Sequence, residues 1–469
     1  MKAFTCPYCA GAVRFDIGGN SVQCEYCGST VTREDYQKYL DKYSLYKTVE
    51  LVCPQCSASI LSYDDTVSTF CSYCGSSVVF SKRVIEETRP DGIMPFKVTK
   101  DEALAAYRKR LDDSWFAPDW LKEDGEDKFI GVYMPFYSFR GEASGKCVAK
   151  GTRKDFETVT ECLVNFDLSA VYDGTRFDAS EAFPDSLSES IDTFDPSKAV
   201  PFETSYLAGF YADGGNVDSD EYAKLLTGMI TDDIKQTKVS AASYDINMST
   251  VSAPANISAK KYLLPVWFGT HRRKDRVCYS AANGNDATCA TDIPIDTSKY
   301  VRFAIILAAA ASLVLNLMFT FKPDIFLFLS TGVLFAFGFI LRKVSGEAYV
   351  REHNLDDIGR IGGEEFLKNA SHDKSPSGSR RKKPGSFKWL FKVPFKVRLK
   401  AWWKLIVFAV AALTLQLFGI AADWVYYVFS IIGIGLSIWS AFEIIRRQNI
   451  LASRDAPVFT MKRGGDGND

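Results

Sequence analysis

Histidine is scarce in this chain of 469 residues, and His271, His353 and His372 lie in unrelated sequence contexts. No GxSxG-type nucleophile motif occurs, and Gly141–Lys146 is one residue short of a P-loop and lies in a strand-like pattern. The residue types that most enzymes gather for acid–base or phosphate chemistry are therefore dispersed. The sequence predicts a protein without enzymatic activity and without a small-molecule substrate.

An excess of one charge is also missing, because 56 Lys and Arg oppose 57 Asp and Glu. Residues 1–80 carry six cations against eight carboxylates, so they lack the basic face that a phosphate backbone requires. Nucleic acid is therefore not expected as a partner. Met1–Thr5 lacks the apolar core of a secretory signal, and the N-terminal region is expected to stay in the reducing compartment where it is made.

The chain does contain a repeated cysteine pattern. Two CxxC pairs separated by fourteen residues place cysteines at Cys6, Cys9, Cys24 and Cys27, and the pattern recurs 47 residues later at Cys53, Cys56, Cys71 and Cys74. A thioredoxin-type site would need one CxxC beside a βαβ unit, and a disulfide framework would suit a secreted chain. Paired CxxC turns supply the four thiolates of tetrahedral zinc. We predict two tandem zinc ribbons, at 1–32 and 49–83, with one structural Zn²⁺ each.

Capping signals predict the helices that follow. Thr32 with Asp35 opens a connecting helix over 33–48, whose apolar face is Tyr36, Tyr39, Leu40 and Tyr43. In the soluble region 89–299, Thr99 with Glu102 and Asp218 with Glu221 predict two further helices. The second has Tyr222, Leu225, Leu226, Met229 and Ile230 on one face.

Each of these two helices precedes a strand-like stretch, Tyr133–Tyr137 and Leu263–Trp267, which suggests a duplicated α+β unit. The proline inside each stretch predicts an edge strand or a bulge. Hairpins are expected around Thr152–Glu157 and Asn283–Gly284. The acidic segment Asp178–Asp195 is interpreted as a solvated loop rather than a site.

The four remaining cysteines fall on these hairpins. Turns centred on Lys154–Asp155 and Asn283–Gly284 would place Cys147 opposite Cys162 and Cys278 opposite Cys289. Such pairs could be redox-active or bind metal. In a reducing compartment, small half-buried free thiols are the favoured interpretation.

The C-terminal third predicts a membrane region of two helical hairpins, at 300–342 and 401–446, with four apolar runs, Val301–Phe319, Ile325–Leu341, Leu405–Ile420 and Trp424–Ile445. Basic residues flank the ends opposite the tight links Lys322–Asp324 and Ala421–Asp423, so the 343–400 loop, the 447–469 tail and the N-terminus are expected in the cytoplasm. Asn316 and Gln416 lie within the runs and are interpreted as helix-to-helix hydrogen-bonding groups.

The central loop ends in ten cations between Arg380 and Lys404, interleaved with aromatics and without any acid. Such a segment could bind RNA, but beside a membrane span it better fits anionic lipid.

The chain contains the paired CPxC and CxYCGS knuckles and the stretches Ile93–Lys97, Gly131–Tyr137, Pro201–Phe202, Tyr206–Phe210 and Leu263–Trp267. Over about residues 4–300, these features are similar to those of the bacterial TFIIB-type zinc-ribbon membrane proteins. Ala10 stands where that family has glycine after the first knuckle, and the late hairpin lacks the family's Thr-Gly-Lys. The resemblance implies no enzymatic activity, and some members of that family look like partners of membrane-stress systems built on SPFH-domain or phage-shock-type proteins.

These expectations combine into one hypothesis, a multi-pass cell-membrane protein that acts as a cytoplasm-facing adaptor or scaffold. Its expected partners are membrane lipid and cytoplasmic proteins. A membrane-tethered nucleic-acid-binding protein is the alternative, and a transporter component is the third.

Overall fold

A computed structural model describes residues 4–42, 48–62, 68–79, 81–85, 89–123, 129–155, 158–180, 182–215, 217–237, 239–241, 244–251, 254–318, 322–352, 371–372, 395–418 and 422–455. Its architecture is multidomain, with two cysteine-rich modules, an α+β sheet domain and long apolar helices. Tyr43, His353 and most of Arg380–Lys404 lie outside the described residues.

The first module is a three-stranded antiparallel sheet of β1 (Val13–Asp16), β2 (Ser21–Cys24) and β3 (Thr30–Thr32). The predicted connecting helix follows as α1 (Arg33–Lys42). Its cap is the predicted one, since the Asp35 amide donates to Thr32 Oγ1 and the Thr32 hydroxyl donates to Asp35. Tyr36 and Leu40 are buried, and the Tyr36 hydroxyl donates to the Thr5 carbonyl. The helix therefore packs its apolar face on the first module, as expected.

The second module has two sheets. One contains β4 (Thr48–Val52) between β5 (Ser59–Ser62) and β8 (Ser81–Ile85), and the other pairs β6 (Ser68–Phe70) with β7 (Ser77–Val79). Leu61 of β5 pairs with Ala212 of β13 (Tyr211–Ala212). The second module therefore joins the main sheet, whereas the first has a sheet of its own.

The α+β domain repeats one order of elements. The first unit contains β9 (Gly92–Ile93), α2 (Lys100–Asp112), β10 (Phe129–Asp155) and β11 (Thr158–Asp178). The second contains β13, α5 (Ser219–Gln236), β16 (Ala255–Arg273) and β17 (Arg276–Asn283). Each short strand runs parallel to the long strand of the other unit, and β10 pairs antiparallel with β16. This topology agrees with the duplicated unit predicted from the sequence.

The helix caps are confirmed in part. Thr99 and Glu102 form the full reciprocal capping box at α2, where Leu104, Tyr107 and Leu111 are buried. At α5 the Asp218 side chain accepts from the Asp220 amide. The side chain of Glu221 is not among the described residues, so the other half of this predicted capping box stays a prediction.

The expectation of edge strands or bulges at the prolines is wrong. Pro135 and Pro265 lie in the two central strands, β10 and β16. Strands β10 and β16 pair with each other on one side, and on the other side each proline lies between the end of one neighbouring strand and the start of the next. No neighbouring strand therefore loses a hydrogen bond because proline lacks the amide N–H. Each proline carbonyl is still used, accepting from the Ala179 amide at 2.8 Å and the Gly284 amide at 2.9 Å.

The two faces of the central strands carry separate cores. Because strand side chains alternate, Leu263 and Trp267 point to one face and Leu264, Val266 and Phe268 to the other. The core of the first cysteine module continues onto the Trp267 face, and that of the second onto the Phe268 face. The cores of the two modules therefore lie on opposite faces of the central strands.

The acidic segment after β11 is not the solvated loop that composition suggested. It contains α4 (Asp185–Ser190), and its Phe183, Leu187, Ile191 and Phe194 are buried in the Phe268-face core. Arg176 neutralises Asp192 through two hydrogen bonds of 2.8 and 3.1 Å. Apolar residues between the acids anchor the segment, and the average composition concealed them.

Smaller elements complete the described part of the domain. They are α3 (Asp119–Glu123), β12 (Val200–Pro201), β14 (Val239–Ala241), β15 (Tyr244–Asn247), β18 (Cys289–Thr291), β19 (Ser371–His372), β20 (Arg454–Asp455) and the 3₁₀ turns Pro196–Lys198, Thr204–Leu207 and Met248–Thr250.

The apolar runs form α6 (Thr297–Met318), α7 (Pro323–Glu352), α8 (Phe395–Phe418) and α9 (Asp423–Leu451). Three stretches, Thr297–Val314, Asp324–Glu352 and Trp424–Leu451, are long and apolar enough to cross a membrane. The third predicted run gives a shorter apolar segment, Trp403–Gln416. The four-span prediction is therefore supported directly at three of its four helices.

Helices α7, α8 and α9 pack together through a shared apolar cluster that includes Leu334, Leu405, Phe408 and Tyr426. The Tyr426 hydroxyl lies 3.5 Å from the Leu415 carbonyl, and Lys404 lies over the Trp439 ring at 5.0 Å. The start of α9 therefore lies near the end of α8, which makes these two helices antiparallel. Within the described residues, none of the stretch Thr297–Val314 of α6 is buried.

The chain enters and leaves this helical region at one place. Asn449, near the end of α9, makes two hydrogen bonds with the backbone of Ile295, just before α6. Arg276 of β17 donates to the carbonyls of Ile450 and Ser453, and pairs with Asp455 at 2.8 Å. Strand β20 then pairs with β17, so the end of α9 is fixed to the α+β domain.

Candidate metal centres

The four CxxC turns share one backbone geometry. In each turn the amide of the residue after the second cysteine donates to the carbonyl of the first, with N···O distances of 2.8–3.0 Å. That residue is left-handed in all four: Ala10 (φ 56°), Gly28 (φ 69°), Ser57 (φ 62°) and Gly75 (φ 68°). Glycine adopts this conformation without a steric penalty, whereas Ala and Ser incur one. The repeated Gly-Ser in the sequence marks this backbone requirement.

These turns bring the predicted cysteines together as two four-thiol clusters, and within each cluster all sulfur atoms lie within 4.8 Å of one another. The cross-turn Sγ···Sγ distances are 3.7 Å for Cys6–Cys27 and 3.5 Å for Cys9–Cys24. In the second cluster they are 3.9 Å for Cys53–Cys74 and 3.8 Å for Cys56–Cys71. Tetrahedral zinc with Zn–S bonds of about 2.3 Å requires sulfurs about 3.8 Å apart. Both donor sets therefore fit one Zn²⁺ each.

The thiols perturb one another. Burial opposes ionisation of Cys6, but the Ser29 hydroxyl and the Tyr8 amide, with further hydrogen bonds, outweigh it and lower its pKa to about 6. In the second cluster, hydrogen bonds with the other three thiols raise the pKa of Cys71 and lower that of Cys74. Four adjacent thiolates repel one another, and a bound divalent cation would compensate their charge.

The first cluster lies near the surface. Cys6 and Cys24 are buried, whereas Cys9 and Cys27 are exposed. Between the cysteines of its two turns, Tyr8 is 74% exposed and Tyr26 is 88% exposed. Metal at this site would hold both tyrosines outward on a rigid tip.

The second cluster lies entirely inside the molecule, since all four of its cysteines are buried. Tyr73, at the motif position of Tyr26, is 1% exposed, and its hydroxyl donates to Asp213. The buried Asp213 carboxylate also accepts from Ser180 Oγ at 2.7 Å. Metal here would be part of the domain core.

The main sheet holds the same turn from its other side. The Tyr279 hydroxyl donates to the Tyr73 carbonyl at 2.7 Å, and Thr270 Oγ1 donates to the carbonyl of Ser72. Arg272 donates to Ser76 Oγ at 2.6 Å. Sequence reasoning missed this network, because Tyr26 and Tyr73 sit in the same CxYC motif and nothing local distinguishes them.

The predicted pairing of the other four cysteines is wrong. Cys162 lies opposite Gly151 and Cys147 opposite Phe166, because the first hairpin turns between Asp155 and Thr158. Moving the centre of a turn by two residues shifts every cross-strand partner by four.

Cys289 lies opposite Ala282, and Cys278 lies opposite His271 on the neighbouring strand. The hairpin that directly follows Leu263–Trp267 turns at Lys274–Asp275, where Lys274 is left-handed. Asn283 opens the turn of the next hairpin, between β17 and β18, and accepts from the Asn285 amide; this turn is centred on Asn285–Asp286, beyond the predicted Asn283–Gly284. These four residues are free thiols in the structure, and burial raises the pKa of Cys278 to about 12.

The fold and the two donor sets define a protein with two zinc-ribbon-type cysteine clusters, an α+β sheet domain and helices long and apolar enough to cross a membrane. The chain is 30% identical over 331 residues to the uncharacterized protein YdjG of Bacillus subtilis. The match covers 67% of this chain and 97% of that protein, so the chain belongs to the family of YdjG. No protein-family model matches the chain, and no solved structure matches it.

Proposed function

We propose that this protein is a non-enzymatic, membrane-anchored adaptor whose zinc-stabilised first module, residues 4–32, presents a binding tip to cytoplasmic proteins. The exposed pair Tyr8 and Tyr26 carries this proposal. Exposed tyrosines on a rigid support supply contact area at little entropic cost, and they are enriched in protein interfaces.

The attachment of the first module supports the adaptor role. Arg33 pairs with Glu203 at 2.6 Å and lies over the Tyr206 ring at 5.2 Å. The Phe15 amide donates to the Ala208 carbonyl at 3.0 Å. The tip is therefore fixed to the α+β domain, and the domain is fixed to α9 through Arg276 and β20. A partner bound at the tip would be held at a defined position relative to the helices.

The proposal includes four membrane spans, with α8 as the fourth. The hydrogen bonds between Asn449 and Ile295 place the end of α9 beside the start of α6. A chain that leaves the domain and returns to it crosses a membrane an even number of times. Three spans would separate these ends, and four would reunite them.

We assign the domain side of the helices to the cytoplasm, because Arg342, Lys343, Arg446 and Arg447 lie toward that end. The basic segment Arg380–Lys404 would then meet anionic lipid on the same side, at about 1 kcal/mol for each cation near the surface. A reporter fused at Ser375 and another at the C-terminus should both read cytoplasmic. An external reading at Ser375 would contradict this topology.

Membrane-tethered nucleic-acid binding is the rival function, because exposed tyrosines also stack on bases. A photoreactive residue at Tyr26 distinguishes the two, with one at the exposed Lys235 of α5 as the matched control. The adaptor proposal expects adducts at Tyr26 that protease removes and nuclease leaves intact. Nuclease-sensitive adducts would favour the rival, and adducts no different from those at Lys235 would contradict both.

A further inference from the structure

The turn between α2 and α3 carries an exposed tryptophan next to the first turns of α6. Trp115 is 79% exposed, and its ring lies edge-on to Phe303 with 6.4 Å between centroids. The neighbouring Phe116 ring packs against Tyr300 at 5.3 Å and Phe303 at 5.6 Å. An exposed tryptophan is costly in water, but it is a favoured residue at the interface between lipid and water.

Polar contacts fix this turn to the first turns of α6. The Phe116 carbonyl accepts from the Asp296 amide at 2.8 Å. Lys299 Nζ donates to the Ala117 carbonyl at 2.8 Å and pairs with Asp119 at 2.6 Å. The depth of Trp115 is therefore set by α6.

The position of Phe303 gives that depth. Phe303 lies within the apolar run that begins at Val301, and with a helical rise of 1.5 Å per residue it is roughly 4.5 Å beyond Tyr300. Where α6 enters a membrane, the ring packed on Phe303 lies among the lipid headgroups and the first methylenes. This inference rests on the membrane-spanning part of the proposed function.

We propose that the Ser114–Pro118 turn is a second membrane contact, in which Trp115 anchors the α+β domain in the lipid interface around α6. Two of the nearby acids are paired within the protein, since Asp119 pairs with Lys299 and Asp112 with Lys122, and the exposed Asp113 and Arg302 carry opposite charges. The contact is therefore aromatic rather than electrostatic. It differs from the basic segment Arg380–Lys404 in needing no anionic lipid.

Full-length protein in phosphatidylcholine vesicles, brominated near the headgroup or near the chain ends, tests this anchor. Trp115→Phe keeps an aromatic ring against Phe303 and should remove part of the tryptophan emission that shallow bromine quenches. Adding anionic lipid should not change that difference. The control is Trp267→Phe, because Trp267 is buried in the domain core and its loss should leave the quenched emission unchanged.

Equal quenching by shallow bromine in wild type and Trp115→Phe would overturn the anchor. The same result is expected if a second copy of the chain, rather than lipid, covers the Trp115 ring. Extraction of the same vesicles with alkaline carbonate tests the membrane-spanning helices separately from the Trp115 anchor. Retained protein with unchanged quenching rejects the anchor alone, and released protein rejects the spanning helices as well.

Discussion

The two cysteine modules have the same ligand spacing and the same knuckle geometry, but they occupy opposite environments. The first has its own small sheet and places its tyrosines in solvent, whereas the second buries all four cysteines and Tyr73 in the domain core. The same four-cysteine module can therefore lie at the surface or form part of a core. Its surroundings decide which, and its motif does not.

Loss of metal should give the largest difference between the two modules. Structural zinc supplies about 10–16 kcal/mol, which is as large as the roughly 5–15 kcal/mol stability of a typical domain. Wild-type protein should bind two zinc ions. Cys71→Ser should lose one of them together with the protease resistance of the α+β domain, whereas Cys24→Ser should lose one and keep that resistance. Metal analysis and limited proteolysis measure both effects.

A wild-type ratio near one zinc per chain would contradict the two-site assignment. Equal proteolysis of the Cys24→Ser and Cys71→Ser variants would contradict the contrast between tip and core.

Replacing Tyr73 or Tyr26 by alanine should give the second-largest difference in stability between the two modules. Tyr73→Ala should cost about 3–5 kcal/mol, because it empties a core site and removes a hydrogen bond to the buried Asp213. Tyr26→Ala should stay within about 0.5 kcal/mol, as an exposed substitution. Denaturant titration of each variant reports the difference. Similar costs at the two positions would show that Tyr26 is also packed.

The attachment of the first module gives a smaller effect. Arg33→Leu removes the half-buried pair with Glu203 and should weaken the docking of the module by about 1.5 kcal/mol. Zinc content should stay at two, because Arg33 is not a ligand. Hydrogen exchange should rise in α1 and β1 but not in the second module. Faster exchange in β5 would show that the modules are coupled through the sheet.

The smallest effect concerns the left-handed knuckle residues. Ala10→Gly and Ser57→Gly should each stabilise by up to about 1 kcal/mol, since glycine relieves the strain of positive φ. Gly28→Ala is the matched reversal, because nothing lies within 4 Å of an added Cβ and only the backbone penalty remains. Zinc affinity measured by chelator competition should follow the same order. An unchanged Gly28→Ala variant would show that the knuckle tolerates the strain.

Local patterns in the sequence were sufficient for several features. The CxxC spacing predicted both cysteine clusters, because the ligands lie in short turns whose geometry depends on adjacent residues. Thr32 and Thr99 predicted helix starts for the same reason, since a cap is formed within four residues. Long apolar runs predicted helices that can span a membrane, and composition alone is enough to identify them.

Features that depend on distant residues were decided only by the tertiary structure. The partners of Cys147 and Cys289 depend on where a hairpin turns, and a shift of two residues in each turn alters every pair. The prolines of the central strands are tolerated because neighbouring strands end beside them, which a single strand cannot reveal. Tyr26 and Tyr73 share a motif, yet one is exposed and the other is buried against Asp213, because burial is a property of what packs on a residue.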